Sequence, residues 1–304
     1  MTDAASPTSP SSSDTAWAAR RLGAALEGVI GSVFFSPECH AAYVELGFAD
    51  SPGVGGGVAL PDGVAYVASR VGSMGRVTGP VAVAAFGVFE PGYVSSACDA
   101  GWALTEPETV ARARALGAAA QLERLLGPVT PEVERLTDRL EATVPTMAIA
   151  PRALAAGVRS LGPQGDGWAR FFWIGDLIRE YRGDSHNIAW AAAGLDGAQI
   201  SLLSDPYRGL PLRSYSASRG WSPEQLDGAF AALVARGWLD DDGLTEVGAS
   251  GREAIELATD EQCAPIATAL GDEIDRIIDQ LNELSARVMD GGGYPRRSPL
   301  TRPA

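Results

Sequence analysis

The sequence predicts a mainly α fold in which two similar helical units, each carrying a short β-hairpin wing, pack as an intramolecular pseudo-dimer. Three observations predict it: a helix–hairpin–helix pattern between Trp221 and Gly248, an imperfect copy of that pattern from Phe89 to Thr105, and a matching amphipathic helix after each copy.

In the better-defined copy, Ser222, Pro223 and Gln225 form a capping box with proline at the first helical position, where its missing N–H costs nothing. Leu226, Phe230, Leu233 and Val234 recur at helical spacing, and Gly237 supplies the stop. Trp238 and Leu239 start a strand, the Asp-Asp-Asp-Gly run at 240–243 reads as a hairpin turn, and Leu244 and Thr245 return. Thr245 also caps the next helix, which runs through Ile255 and Leu257. In the first copy, Pro91, Val94, Ala97, Gly101, Trp102, Leu104 and Thr105 parallel Pro223, Leu226, Ala229, Gly237, Trp238, Leu244 and Thr245. Val129, Val133, Leu136 and Leu140 line one following helix; Ile274, Ile277, Ile278, Leu281 and Leu284 line the other. A duplication explains the correspondence economically and predicts tandem winged helix-turn-helix-like units.

The implied organisation is a disordered tail at 1–14, an N-terminal unit at 15–144, a Pro- and Gly-rich linker at 145–167, a C-terminal unit at 168–290 and a flexible tail at 291–304 that contains Arg296 and Arg297. With 304 residues there is length for two cores. Acidic residues outnumber basic ones 38 to 24, a formal charge of −14 that opposes phosphate backbones and anionic membrane surfaces. Cys39, Cys98 and Cys263 have no zinc or disulfide spacing and read as buried thiols of a cytoplasmic protein. The first fourteen residues lack the basic start and long apolar run expected of a signal peptide, and no apolar run is long enough for a membrane-spanning helix.

Arg236-Gly237-Trp238 and Leu244-Thr245-Glu246-Val247-Gly248 resemble the end of the recognition helix and the post-wing segment of MarR-type winged helices. Over most of residues 34–289 the chain also resembles an actinobacterial family of helix-turn-helix, MarR-like proteins. That resemblance is carried by Phe35-Ser36-Pro37-Glu38, by Ser69, Arg70, Met74 and Gly75, by Arg182-Gly183-Asp184-Ser185-His186, and by Ala193-Gly194-Leu195-Asp196-Gly197. It implies the fold and assigns no chemistry. The Gly-rich stretch at 53–57 lengthens the loop before Tyr66 relative to that family.

The segment from Arg179 to His186 concentrates ionisable groups in a chain otherwise rich in Ala, Gly and Leu. Gly183 is expected to end one helix, with Asp184 or Ser185 capping the next through Trp190; His186 then sits in a first turn, where the helix dipole keeps its imidazole neutral. Beside Asp184 it has the make-up of a general base. The alternative is that Asp184 only caps, His186 fills a polar niche, and Arg182 pairs with Glu180 or Asp176. Arg70 lies in an apolar stretch and needs an anion, from the protein or from a ligand. His40 and Tyr43 approach His186 if the repeats pack face to face, although a surface position is the simpler expectation for His40.

Two histidines without H-x-x-x-H or H-E-x-x-H spacing make no metal site. No phosphate loop, serine-nucleophile elbow or other cofactor signature occurs, so no cofactor is assigned. The helix that should enter a major groove presents Ser222, Glu224, Gln225 and Asp227, with acids at the wing tip, which disfavours DNA. Arg208, Arg213 and Arg219 are the modest basic run upstream.

The leading expectation is therefore a small-molecule-binding protein, monomer or homodimer. Its ligand would lie between the units against Arg70, Tyr181, Arg182, Trp190, His40 and Tyr43. The second is an enzyme with His186 as base and Asp184 orienting it, and the third is a ligand-responsive transcription regulator.

Overall fold

Local chemistry starts most of the helices. In the computed structural model, which describes residues 12–295 (side chains from 14), helices α1 (Ser12–Ile30), α2 (Pro37–Glu45), α3 (Gly63–Val71), α4 (Gly79–Phe86), α5 (Pro91–Leu104), α6 (Pro107–Leu126), α7 (Pro131–Glu141) and α8 (Ala153–Leu161) precede the long α9 (Trp168–Ala192). After it come α10 (Gly197–Tyr207), α11 (Pro223–Ala235), α12 (Glu246–Leu270) and α13 (Ile274–Asp290). Two antiparallel hairpins interrupt them, β1 (Val54–Gly55) with β2 (Val58–Ala59) and β3 (Leu239–Asp240) with β4 (Gly243–Leu244). Side chains of Ser36, Asp62, Glu90, Thr130, Asp196, Ser222 and Thr245 each accept the backbone N–H three residues on, at the starts of α2, α3, α5, α7, α10, α11 and α12.

The helix–wing–helix order expected after Trp221 is present. Ser222 and Gln225 close a full capping box, and Leu239 pairs with Leu244 and Asp240 with Gly243 across the wing. The amphipathic helices follow as expected: Val133, Leu136 and Leu140 are buried in α7, and Ile277, Ile278, Leu281 and Leu284 in α13.

Four expectations need correction. The first copy has no wing, because only Thr105 and Glu106 separate α5 from α6 and a hairpin does not fit in two residues; Gly101, matched to the stop at Gly237, lies inside α5 against Ala68. Residues 145–167 are not a bare linker. They include α8, whose Leu154, Ala155 and Val158 are buried. Of the two tails, residues 1–11 and 296–304 lie outside the described residues, but Ser12 to Asp14 begin α1, and Tyr294 is 4% exposed and packs on Phe35. Finally, Gly183 does not break a helix. It sits within the 25-residue α9, where a mid-helix glycine costs about 1 kcal/mol and the contacts that α9 makes on several sides outweigh it.

One large apolar cluster draws on both halves of the chain. It joins Leu26 and Val29 of α1, Leu122 of α6, Leu136 of α7, Phe171, Ile174 and Leu177 of α9, Ile266 of α12 and Leu281 of α13. Two smaller clusters flank it, one under α3, α4 and α5 and one under α10, α11 and the wing. They meet at the turn after α4, where the Val88 carbonyl accepts from Trp221 Nε1 at 3.0 Å and Ser201 Oγ at 2.9 Å. The three cysteines are free and buried.

Helix α2 lies so close to α6 that a methyl at Gly117 would stand 2.7 Å from the Cys39 sulfur and 2.8 Å from its Cα. Gly117→Ala gains helix propensity but must push a backbone aside. Urea unfolding is expected to show a net loss of about 1–2 kcal/mol; a stabilised variant would contradict this packing.

Candidate functional site

Helix α9 carries the ionisable segment singled out by the sequence. Successive residues of an α-helix turn by about 100°, so the charged side chains leave α9 toward different neighbours. Asp176 accepts from Arg114 of α6 at 2.5 and 2.9 Å. One turn on, Glu180 accepts from Arg70 of α3 at 2.8, 2.9 and 3.1 Å and from Arg179 at 2.8 Å, while Arg179 also reaches Glu27 of α1 at 2.7 Å. On the α12 side, Arg182 donates to Asp260 at 2.6 Å and Glu256 at 2.8 Å. His186 Nδ1 lies 3.1 Å from Thr259 Oγ1 and 3.8 Å from Glu256.

The α8 side completes the set. Asp184 Oδ2 accepts from the Ala155 N–H at 3.0 Å, so it caps a helix other than its own. Arg152 lies over the Tyr181 ring at 4.3 Å and donates to Ser185 Oγ at 2.9 Å.

Of the residues proposed from sequence, the structure thus separates Asp184 from His186. Two positions apart on a helix, they point about 200° apart and meet α8 and α12 respectively. The anion that Arg70 requires is Glu180, and Arg182 pairs with Asp260 and Glu256 rather than with Glu180 or Asp176. Trp190 donates to Asn187 Oδ1 at 3.1 Å and packs on the cluster beneath α10. Tyr181 is 1% exposed and its hydroxyl lies 3.4 Å from the Gln262 carbonyl.

The imidazole of His186 is neutral at pH 7, as expected, but for another reason. Burial pushes it down to about 3 against the opposing pull of Glu256, with Arg252, Arg182 and Arg208 adding to the downward push. Burial also lifts Asp184 to about 7, against the N–H of Ala155. An acid whose folded pKa is raised contributes stability below its unfolded value, near 4, and loses it as pH rises through about 7. Asp184→Asn keeps an oxygen for the Ala155 N–H and removes the titration. Its thermal stability is expected to fall less than that of wild type between pH 5 and 8, as scanning calorimetry would show.

A pocket lies elsewhere, between α2, α3 and the 3-10 turn at Gly31–Phe35. It is a shallow recess whose empty space, open solvent included, is about 340 Å³, and Phe34, His40, Tyr43, Asp62, Tyr66 and Ser69 are on its wall. Two of the residues named from sequence, His40 and Tyr43, therefore share a pocket, though without His186. His40 is not a surface histidine: it is 8% exposed.

His40 Nε2 stands 3.1 Å from the Phe34 carbonyl. A carbonyl only accepts, so Nε2 carries a hydrogen; in the uncharged tautomer that has it there, Nδ1 is the acceptor. That Nδ1 is buried and has no hydrogen-bond partner among the described residues. Tyr66, not singled out from sequence as a site residue, packs on Phe34 at 4.9 Å, and its hydroxyl accepts from Arg70 at 3.1 Å. Burial pushes the Tyr66 phenol up, but Arg70, Arg219 and Arg179 around it bring it below its usual range. The four-residue spacing of Tyr66 and Arg70 was the available signal.

Helix α11 and the wing form the other candidate surface. Glu224, Gln225 and Asp227 are exposed, as are the wing acids at 240–242. Arg213 pairs with Asp227 at 2.5 Å, and Arg236 is turned back onto the Ala193 and Gly194 carbonyls at 2.8 and 3.4 Å. Among the described residues no helix is long and apolar enough to cross a membrane, and no group of three or more His, Cys, Asp or Glu side chains is arranged to hold a metal ion. No curated protein and no solved structure matches the chain. A family model described as a helix-turn-helix family matches residues 19–295, and the chain belongs to that helix-turn-helix family.

Proposed function

We propose that this chain binds a small, largely apolar molecule carrying one hydrogen-bond donor, held in the pocket of His40, Tyr43 and Tyr66, on a winged-helix frame that serves as scaffold. The observation that carries the reading is His40, which lines that pocket and whose buried Nδ1 has no partner among the described residues. An unmet buried polar group costs about 1–3 kcal/mol, which a ligand donor would offset. Phe34, Tyr43 and Tyr66 offer ring faces, and Asp62 and Ser69 further polar contacts. The tandem reading belongs to the same proposal: α5, α6 and α7 follow one another as α11, α12 and α13 do, with the wing kept in the second set alone.

Saturation-transfer NMR with a fragment library of aromatic amines, amides and phenols tests it. Hits are expected to bind at least tenfold more weakly to His40→Phe, a variant checked by circular dichroism for an unchanged fold. A library without hits, or hits that bind His40→Phe equally well, would remove the basis of the reading.

A second reading, a DNA-binding regulator, is suggested by the helix-turn-helix family. The charges oppose it, since the exposed face of α11 has acids where a groove-reading helix presents cations. Fluorescence anisotropy with genomic duplex fragments at about 0.15 M salt is expected to show no specific binding; a sequence-specific complex would favour the regulator. The catalytic reading with His186 as base has less support, because its Nδ1 already faces Thr259 and Asp184 serves α8.

A further inference from the structure

Most of the buried guanidinium groups of this protein face a carboxylate: Arg20, Arg70, Arg114, Arg179, Arg182 and Arg252 all do. Arg152 is held by Ser185, Gln262 and backbone carbonyls, whereas Arg208, exposed just after α10, and Arg219, half-buried in the 3-10 turn at Ser216–Arg219, have neither a carboxylate nor such a set. Among the described residues neither makes an ion pair. Instead both guanidinium groups lie over the same Tyr215 ring, at 5.4 and 4.2 Å from its centre. Arg219 is also 4.5 Å from the Phe89 ring and donates to the Tyr215 hydroxyl.

Among the described residues no carboxylate is ion-paired with either of them. Asp205 is the acid near Arg208, but its oxygens accept from the N–H groups of Arg213, Tyr215 and Ser216 and from Ser216 Oγ. Arg213, third of the basic run, is committed to Asp227. Two cations beside one aromatic ring repel each other, and burial together with Arg208 and Arg70 makes the Arg219 charge harder to keep, against the pull of Tyr66. In a chain of net charge −14, such a pair without a carboxylate is conspicuous.

We infer that Arg208 and Arg219 form a binding site for a small oxyanion, a carboxylate or phosphate group, seated between the two guanidinium groups beside the Tyr215 ring. Guanidinium forks suit planar or tetrahedral oxygen sets, and one anion between them turns mutual repulsion into two attractions. The exposed Arg208 stands at the solvent side and Arg219, partly buried between Phe89 and Tyr215, behind it. Arg219 acts on Tyr66 at the wall of the His40 pocket, but Arg208 does not line that pocket, so Arg208→Gln separates the two assignments.

Thermal shift titrations with inorganic phosphate and, separately, benzoate, at constant ionic strength set by chloride, test the site in the full chain. A saturable rise in Tm is expected for wild type and for Arg213→Gln, with affinity at least tenfold weaker for Arg208→Gln and Arg219→Gln. If Arg219→Gln loses its fold by circular dichroism, Arg208→Gln, at an exposed position, decides. Absence of saturation, or equal titrations in Arg213→Gln and Arg208→Gln, overturns the site. Competition of duplex DNA with phosphate would reassign it to a nucleic-acid backbone and overturn the small-anion assignment.

Discussion

Asp176→Ala is expected to lower the unfolding free energy by about 3–5 kcal/mol, the largest single effect predicted for this chain. Asp176 is 2% exposed and Arg114 6%, and two hydrogen bonds at 2.5 and 2.9 Å join them. Removing the carboxylate leaves a buried guanidinium against the Phe34 and Phe172 rings, 5.8 and 5.1 Å away, with Glu180 and Tyr43 acting on it through space. Those faces help a cation but do not replace an anion. The size of the loss reflects the stranded charge rather than the worth of the pair, so the double variant Arg114→Met with Asp176→Leu is expected to recover most of it. Urea unfolding of the two variants checks both statements; if the double variant is no more stable than Asp176→Ala, the stranded-charge account is wrong.

Acid is expected to unfold the protein in a window set by Glu180 and Glu256. Both are buried, and burial alone would raise them, but Arg70 and Arg179 hold Glu180 at about 2, while His186, Arg252 and Arg182 hold Glu256 there. A depressed acid contributes stability above its unfolded pKa, near 4.3, and loses it as pH falls through the folded value. For Glu256 the difference of roughly two units corresponds to about 3 kcal/mol. Asp184 acts with the opposite sign and weakens the fold as pH rises toward 7. His186, lowered to about 3, loses stability as pH falls below its unfolded value near 6.5, so it and Asp184 offset each other, and stability is expected to be roughly level between about pH 4 and 6.5 and to decline below that. A pH series of Tm values checks this: in Glu256→Gln the decline between pH 4 and pH 2 should flatten, and an unchanged acid limb would contradict the assignment.

The parts of the fold legible in sequence are those with local causes. The capping box at Ser222, the Asp-Gly turn of the wing, the cap at Thr245 and the stripes of α7 and α13 depend on residues a few positions apart. Gly183 misled because its local meaning, a helix stop, was overridden by partners on α3, α8 and α12 that no local pattern reveals. The Pro- and Gly-rich composition of 145–167 likewise hid the short buried stripe of α8.

For the site, the requirement could be read but not the partner. The cost of an unpaired guanidinium showed that Arg70 needs an anion, whereas Glu180 is 110 residues away. Even the neutral state of His186 followed from a premise, a helix start, that the fold does not contain. All 24 cationic residues are arginine, a choice suited to bidentate pairing in low-dielectric surroundings.

The acids of α9 recur at 176, 180 and 184, one helical turn apart. A slide of the helix by about 5.4 Å would bring Glu180 to Arg114 and Asp184 to Arg70, so that edge taken alone offers more than one seat. Arg182 against Asp260, and Asp184 at the head of α8, fit only one of them. The two sides of the helix thus work like the scales of a vernier, repeating on one edge and unique on the other, and their coincidence fixes the register in which the halves of the chain lock together.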